Sequence, residues 1–199
     1  MSNWLTGNKK DVGIHGITLI PLFTALITVG AYVRIPTPLV PITFQVFFVV
    51  LAGLLLGPRF GAYSALLYLL LGLFGVPVFT EGGGFGYIFR PTFGYIIGFF
   101  FGAYATGKIA WSAVPNPKAS FQRLLLAVGI GVLIIYIIGA AYFYVISNYV
   151  IHIPIGVGAL FLYCFAMVIP GDAITGVLAA ILAKRLMPVI GKAREGQTI

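Results

Sequence analysis

Apolar residues run on through most of this chain almost without interruption, and polar side chains collect where the runs end. A helix needs about 20 apolar residues to cross a hydrocarbon layer of ~30 Å. Six runs read as such helices, at residues 13–33, 40–57, 60–75, 91–111, 121–148 and 155–183. The third is short, and only Gly57, Pro58 and Arg59 part it from the second, which predicts a tight turn. A polar segment, 112–120, joins the fourth to the fifth, with Pro115 and Pro117 as helix breakers. No internal repeat is visible. The pattern predicts an all-α integral membrane protein with six transmembrane helices, forming one transmembrane domain over residues 1–199.

Composition sharpens this picture. Of 199 residues 60% are apolar and 8% charged, against roughly 25% charged in a soluble domain. Apart from Asp172, the acids and the bases collect at or near the edges of the apolar runs, as expected when a charge in hydrocarbon costs about 2.5–3.5 kcal/mol. A net charge of +8 invites a nucleic-acid reading. The bases form no amphipathic or aromatic-interleaved stripe, so no nucleic-acid partner is expected.

The bases instead report orientation. With the N-terminus inside, the inner segments hold Lys9, Lys10, Arg59, Lys108, Lys118, Arg123, Lys184, Arg185, Lys192 and Arg194, and the outer ones only Arg34 and Arg90. Ten against two places both termini in the cytoplasm by the positive-inside rule. No small-residue cleavage site follows the basic start, so the first helix is expected to be retained. The single cysteine, Cys164, lies in an apolar run and supports neither a disulfide nor a thiolate metal cluster.

This topology puts three loops outside, at 34–40, 76–90 and 148–154. The middle one (VPVFTEGGGFGYIFR) packs four glycines into five residues between apolar and aromatic neighbours. A solvated linker would be rich in Ser, Lys or Glu; this loop suits lying on a bundle mouth or on a ligand.

Three patches combine polar groups with unusual backbone. The stretch from Arg34 to Gln45 (RIPTPLVPITFQ) carries Pro36, Pro38 and Pro41, which keep it extended and leave Thr43 and Gln45 at the outer mouth of the second helix. Gln45 suits either a ligand or a hydrogen bond to a neighbouring helix. The stretch Arg90 to Tyr95 (RPTFGY) opens the fourth helix, with Pro91 where a missing N–H costs nothing. Arg90 there offers a positive corner for a carboxylate, or else reaches headgroups or pairs with Glu81. Pro170-Gly171-Asp172 lies inside the last run, with Asp172 about 18 Å from Lys184. It is the only acid within a predicted span, and an intramembrane carboxylate is a functional candidate by default; pairing with an arginine or tyrosine is the alternative. Tyr136, Tyr142, Tyr144 and Tyr149 fall on the outer half of the fifth helix, where an aromatic belt is the simpler reading and one or two can face a pocket.

Some apparent signals carry nothing. The stretch Gly102 to Lys108 (GAYATGK) imitates a phosphate-binding loop, but Ile109 stands where Mg²⁺ requires Ser or Thr and no strand precedes it. ATP binding is therefore excluded. His15 and His152 lie at opposite membrane faces and cannot share a metal. No Ser–His–Asp or paired-acid arrangement supports hydrolysis, so the chain is not read as an enzyme.

The RIPxPxxPxTxQ stretch ending at Gln45, the Gly-rich loop followed by PTxGY ending at Tyr95, and the PGD ending at Asp172 together resemble the BioY family of biotin transporters, the substrate-binding S-components of energy-coupling factor (ECF) importers. The resemblance runs from Leu22 to Leu186. It implies a multi-pass protein of a prokaryotic cell membrane that binds biotin near the outer face. It also implies partners: a transmembrane coupling subunit and two ATP-binding subunits. Biotin would be cargo, with no resident cofactor and no metal. The expected ligand-binding residues are Gln45, Gly83, Gly84, Tyr87, Arg90, Tyr95, Tyr142 and Asp172. The ureido ring offers two N–H donors and a carbonyl, which Asp172 and Gln45 can match, while the Gly-rich loop closes by backbone approach.

The chain departs from the family pattern at three places. Thr175 stands where the last motif usually has lysine, and Arg90 where the fourth-helix motif usually has glycine. A cation lost and a cation gained suggest that Arg90 takes the valerate carboxylate. The family's helix-one Ala-x-x-x-Ala docking motif also reads Pro21 and Ala25 here. An S-component for another vitamin, such as thiamine, and a small membrane enzyme are the other readings left open.

Overall fold

A computed structural model describes residues 9–36, 40–111 and 120–195. The N-terminal stretch 1–8, Pro38 of the proline-rich loop, and most of the polar linker with Pro115, Pro117 and Lys118 lie outside them. In chain order the elements are α1 (Lys9–Tyr32), β1 (Arg34–Ile35), β2 (Ile42–Thr43), α2 (Gln45–Leu56), α3 (Pro58–Leu73), α4 (Phe93–Trp111), α5 (Phe121–Val145), α6 (Val157–Phe161) and α7 (Ile169–Glu195). A short 3₁₀ helix, Phe85–Phe89, sits in the Gly-rich loop. Single π-helical turns, Ile146–Val150 and Leu162–Ala166, extend α5 and α6.

The bundle is built around α2. Its sequence, QVFFVVLAGLLL, is apolar on every side except at Gln45, and a helix of that kind is stable only when surrounded. It packs against α1, α3, α4 and α7. Its 12 residues span about 18 Å, less than a bilayer core. Gly57 makes the turn into α3 with φ 88° and ψ −179°, a conformation open in practice only to glycine, and Pro58 begins the next helix.

Small residues set the closest helix pairings, as is usual where lipid tails compete with side chains for apolar contact. Helices α4 and α5 form the most extensive pair among the described residues. A Cβ at Gly98 would lie 3.0 Å from the Cα of Ile135, and one at Gly139 2.5 Å from the Tyr95 ring. Gly53 brings α2 onto α4 in the same way, since its Cβ would meet the Ala103 carbonyl at 2.5 Å. Gly102 and Gly107 belong to this packing inside α4, so the stretch that imitates a phosphate loop is helix.

The two ends of the bundle differ. At the end carrying Arg59, Lys108, Arg123 and Lys184, long side chains satisfy helix-terminal carbonyls. Arg123 donates from Nε and Nη2 to the Ile109 carbonyl at 2.8 and 2.6 Å, and Trp111 Nε1 donates to the Leu54 carbonyl at 2.8 Å. The outside of the bundle is apolar. Leu126, Ile130, Leu133 and Ile137 form an exposed stripe along α5, and Ile174, Val177, Leu178 and Ile181 one along α7. Such surface belongs in lipid. The helical stretches Phe121–Val150 and Val157–Pro188, 30 and 32 residues long, are apolar enough to cross a bilayer.

Three boundaries differ from the sequence pattern. Residues 40–44 do not open α2; Pro36 and Pro41 keep this stretch out of helix, and Arg34 pairs with Thr43, and Ile35 with Ile42, in an antiparallel ladder. The fourth helix starts at Phe93, so Arg90 and Pro91 fall in the turn before it. The sixth run is interrupted: after α6 and its π turn the chain turns at Met167 and Val168, and α7 then continues to Glu195.

The Gly53 contact gives a test of the packing account. Gly53→Leu is expected to lower thermal stability in detergent by about 1–3 kcal/mol or more. Gly129→Leu, where a Cβ meets nothing within 4 Å, is expected to change it by less than about 0.5 kcal/mol.

Candidate functional site

The Gly-rich loop lies on the bundle mouth and is part of its core. Phe79 is fully buried, with ring centroids 5.3 Å from Tyr68 and 4.6 Å from Tyr87. It fills a space that Gly72 leaves, since a Cβ there would sit 2.0 Å from the Phe79 ring. The loop folds back on itself through a bridge between Phe79 and Gly82, and Gly84 N donates to the Gly72 carbonyl at 2.7 Å. Gly82 and Gly84 have φ of 110° and 103°, which the reversal requires. The end of α1 and the first loop pin it: the Tyr32 hydroxyl donates to the Pro77 carbonyl, and Arg34 Nη1 donates to the Thr80 carbonyl at 2.6 Å.

Beneath the loop is a cavity between the loop-side ends of the helices. The loop side of its wall is Thr80, Tyr87 and Thr92, and Val40, Pro41 and Thr43 flank it from the first loop. Helix α2 contributes Gln45 and Val46; α4 contributes Tyr95, Ile96 and Phe99; α5 contributes Tyr136. Val168 and Asp172 complete it from the start of α7. Its enclosed part is about 50 Å³, less than the ~300–1,000 Å³ of a typical small-molecule site, so a ligand there has to extend into the open mouth or part the walls.

Two polar groups inside it are held in fixed orientations. Gln45 Nε2 donates to the Tyr68 hydroxyl at 2.6 Å, and that hydroxyl donates to the Val78 carbonyl at 3.0 Å. Thr43 Oγ1 donates to Gln45 Oε1 at 3.2 Å. The amide is thus tied at both ends, and the tie reaches the Gly-rich loop. Asp172, 3% exposed, accepts a hydrogen bond at Oδ2 from the Tyr136 hydroxyl at 2.6 Å. It sits in the first turn of α7, where the helix dipole favours an acid. Pro170 stands one residue inside that helix start, where no N–H is missed. Tyr95 donates to the Cys164 carbonyl at 3.4 Å, in the π turn just before the break.

The structure brings together four of the expected ligand residues: Gln45, Tyr87, Tyr95 and Asp172 all line the cavity. It does not bring in the other four. Gly83 faces its own loop, where a Cβ would meet the Val76 carbonyl at 2.4 Å, and Gly84 is spent on the tie to Gly72. Tyr142 turns inward but donates to the Ile88 carbonyl at 2.6 Å. Arg90 pairs with Glu81, Nη1 to Oε2 3.1 Å, with the two side chains 59% and 47% exposed, and is not part of the cavity wall. Thr175, at the usual lysine position, is also outside the wall; its Oγ1 donates to the Asp172 carbonyl at 3.2 Å.

Tyr136 is one of the four tyrosines of the fifth run of which the sequence lets one or two face a pocket, and it is the one that lines the cavity; the sequence does not single out Thr80 and Thr92. Tyr136 lies three residues from Gly139, a small residue that packs against Tyr95 of α4. The threonines gave no such signal.

The BioY family profile matches residues 5–192. The chain belongs to the BioY family. A BioY relative from Lysinibacillus sphaericus, "Probable biotin transporter BioY", is 42% identical over 185 residues, 93% of each chain. "Biotin transporter BioY" from Thermotoga maritima is 40% identical over 168 residues, covering 83% of this chain and 91% of that one. The crystal structure of "the S-component for biotin from an ECF-type ABC transporter" superposes with a TM-score of 0.76 at 26% identity, over 94% of both chains. The BioY chain described here therefore shares the all-α S-component bundle.

The Gln45 tie yields an expectation about stability. Tyr68→Phe removes the hydroxyl between Gln45 and Val78 and leaves buried polar groups unpaired, which should destabilise the protein by about 1–3 kcal/mol. A melting curve in detergent would reveal it.

Proposed function

We propose that the chain binds biotin in this cavity and serves as the substrate-binding subunit of a vitamin importer. The observation that carries the reading is the cavity floor: a buried carboxylate, Asp172, fixed by Tyr136, with the oriented amide of Gln45 on the same wall. Biotin's ureido ring presents two N–H donors and one carbonyl acceptor. Asp172 takes an N–H, and the Gln45 amide meets the remaining polarity. Tyr95, Phe99 and Tyr87 supply aromatic faces for the thioether ring and the alkyl chain. The names of the relatives point to the same ligand.

The protein acts as a single transmembrane domain. Its basic bundle end faces the cytoplasm with both termini, a direction supported by ten bases against two. The cavity then opens outward. Its expected partners are a transmembrane coupling subunit and two ATP-binding subunits; the solved relative is named as the S-component for biotin from an ECF-type ABC transporter.

Purified protein in detergent is expected to retain tritiated biotin, to lose it to an excess of unlabelled biotin, and to return it unchanged. Asp172→Asn should weaken binding about tenfold or more, the loss expected when a charge-assisted hydrogen bond worth about 1.5–3 kcal/mol is removed. Normal affinity in that variant would sink the assignment of Asp172, and turnover of the ligand would favour an enzyme.

A further inference from the structure

Charge is distributed unevenly over this cavity. Its wall holds Asp172 and, as further ionisable side chains, only the tyrosines Tyr87, Tyr95 and Tyr136; no Lys, Arg or His lines it among the described residues. The two bases at this end of the bundle are on the outer surface and already engaged, Arg34 with the Thr80 carbonyl and Arg90 with Glu81. A ligand carboxylate drawn into the cavity would lose its water without a cation to replace it. It would also share a low-dielectric space with Asp172, a group of the same sign. The acid end of the ligand therefore stays at the mouth, in water, beside Thr80 and the exposed bases.

We propose that the site reads the ureido head and the ring of biotin and is nearly indifferent to its carboxylate, so that neutral biotin amides and esters are also ligands. This rests on the reading of the cavity as a biotin site. Interactions between exposed charges are weak and screened, so Arg34 and Arg90 together should favour the acid over its amide by no more than about fivefold. The ligand class is then biotin with its side chain either free or in amide linkage to a small polar group.

Competition against tritiated biotin on the full chain in detergent tests this, with unlabelled biotin, biotinamide and biotin methyl ester as competitors. The amide and the ester are expected to compete within tenfold of biotin. The ratio of amide to acid affinity is expected to change by no more than about fivefold in Arg34→Gln and in Arg90→Gln. A tenfold or greater loss for the amide would overturn the inference, as would a change in the amide-to-acid ratio of tenfold or more in either arginine variant. Failure of biotin itself to bind would overturn the reading of the site together with this inference; biotin binding alongside a much weaker amide overturns the inference alone.

Discussion

A carboxylate kept almost free of solvent inside an apolar bundle is the constraint around which this structure is arranged. Asp172 is unfavourable there unless its charge is met by hydrogen-bond donors. One donor is Tyr136, which has to reach it from α5. A second favourable term is its place in the first turn of α7. Just ahead of it, at Met167 and Val168, the sixth helical run departs from regular α-helical hydrogen bonding: Met167 N donates to the Leu162 carbonyl and Val168 N to the Phe165 carbonyl.

Bringing Tyr136 to Asp172 in turn depends on how α5 is seated. Glycines on α4 and α5 let the two helices approach closely, and Gly139 accepts the Tyr95 ring against its Cα. Tyr95 and Tyr136 consequently meet edge to face, with centroids 6.3 Å apart, beside the cavity floor. On the far side α2 carries Gln45 at its first residue and nothing else polar. The Gly-rich loop closes over the top and is fastened through Phe79 and Tyr68 to the same helices. Loop, amide and core are therefore one connected structure, because Tyr68 both accepts from Gln45 and donates to the loop carbonyl of Val78.

Much of this was legible in the residues. The apolar runs announce the helices because a bilayer permits no other use of them, and Gly57-Pro58 announces its turn because few backbones suit that pair. Asp172 and Gln45 stand out as polar groups in apolar surroundings. Arg90 reads equally well as a carboxylate ligand or as a partner of Glu81, nine residues away; only the fold of the loop decides, and it brings the two to 3.1 Å. The start of α2 was misplaced because Val40 and Ile42 are apolar enough for a span, while the prolines beside them act through backbone geometry that hydropathy does not register. Tyr136 was concealed by its type: a tyrosine near an interface is ordinarily an anchor, and which way it faces depends on the packing of α4 against α5.

The most direct measurement of the central claim is a structure of the chain with biotin bound in a lipid nanodisc. The account predicts the ureido ring between Gln45 and Asp172, with an N–H donated to the Asp172 carboxylate, and the valerate chain running toward Thr80 and the loop. Biotin bound with its carboxylate at the floor, or bound outside this cavity, would contradict it.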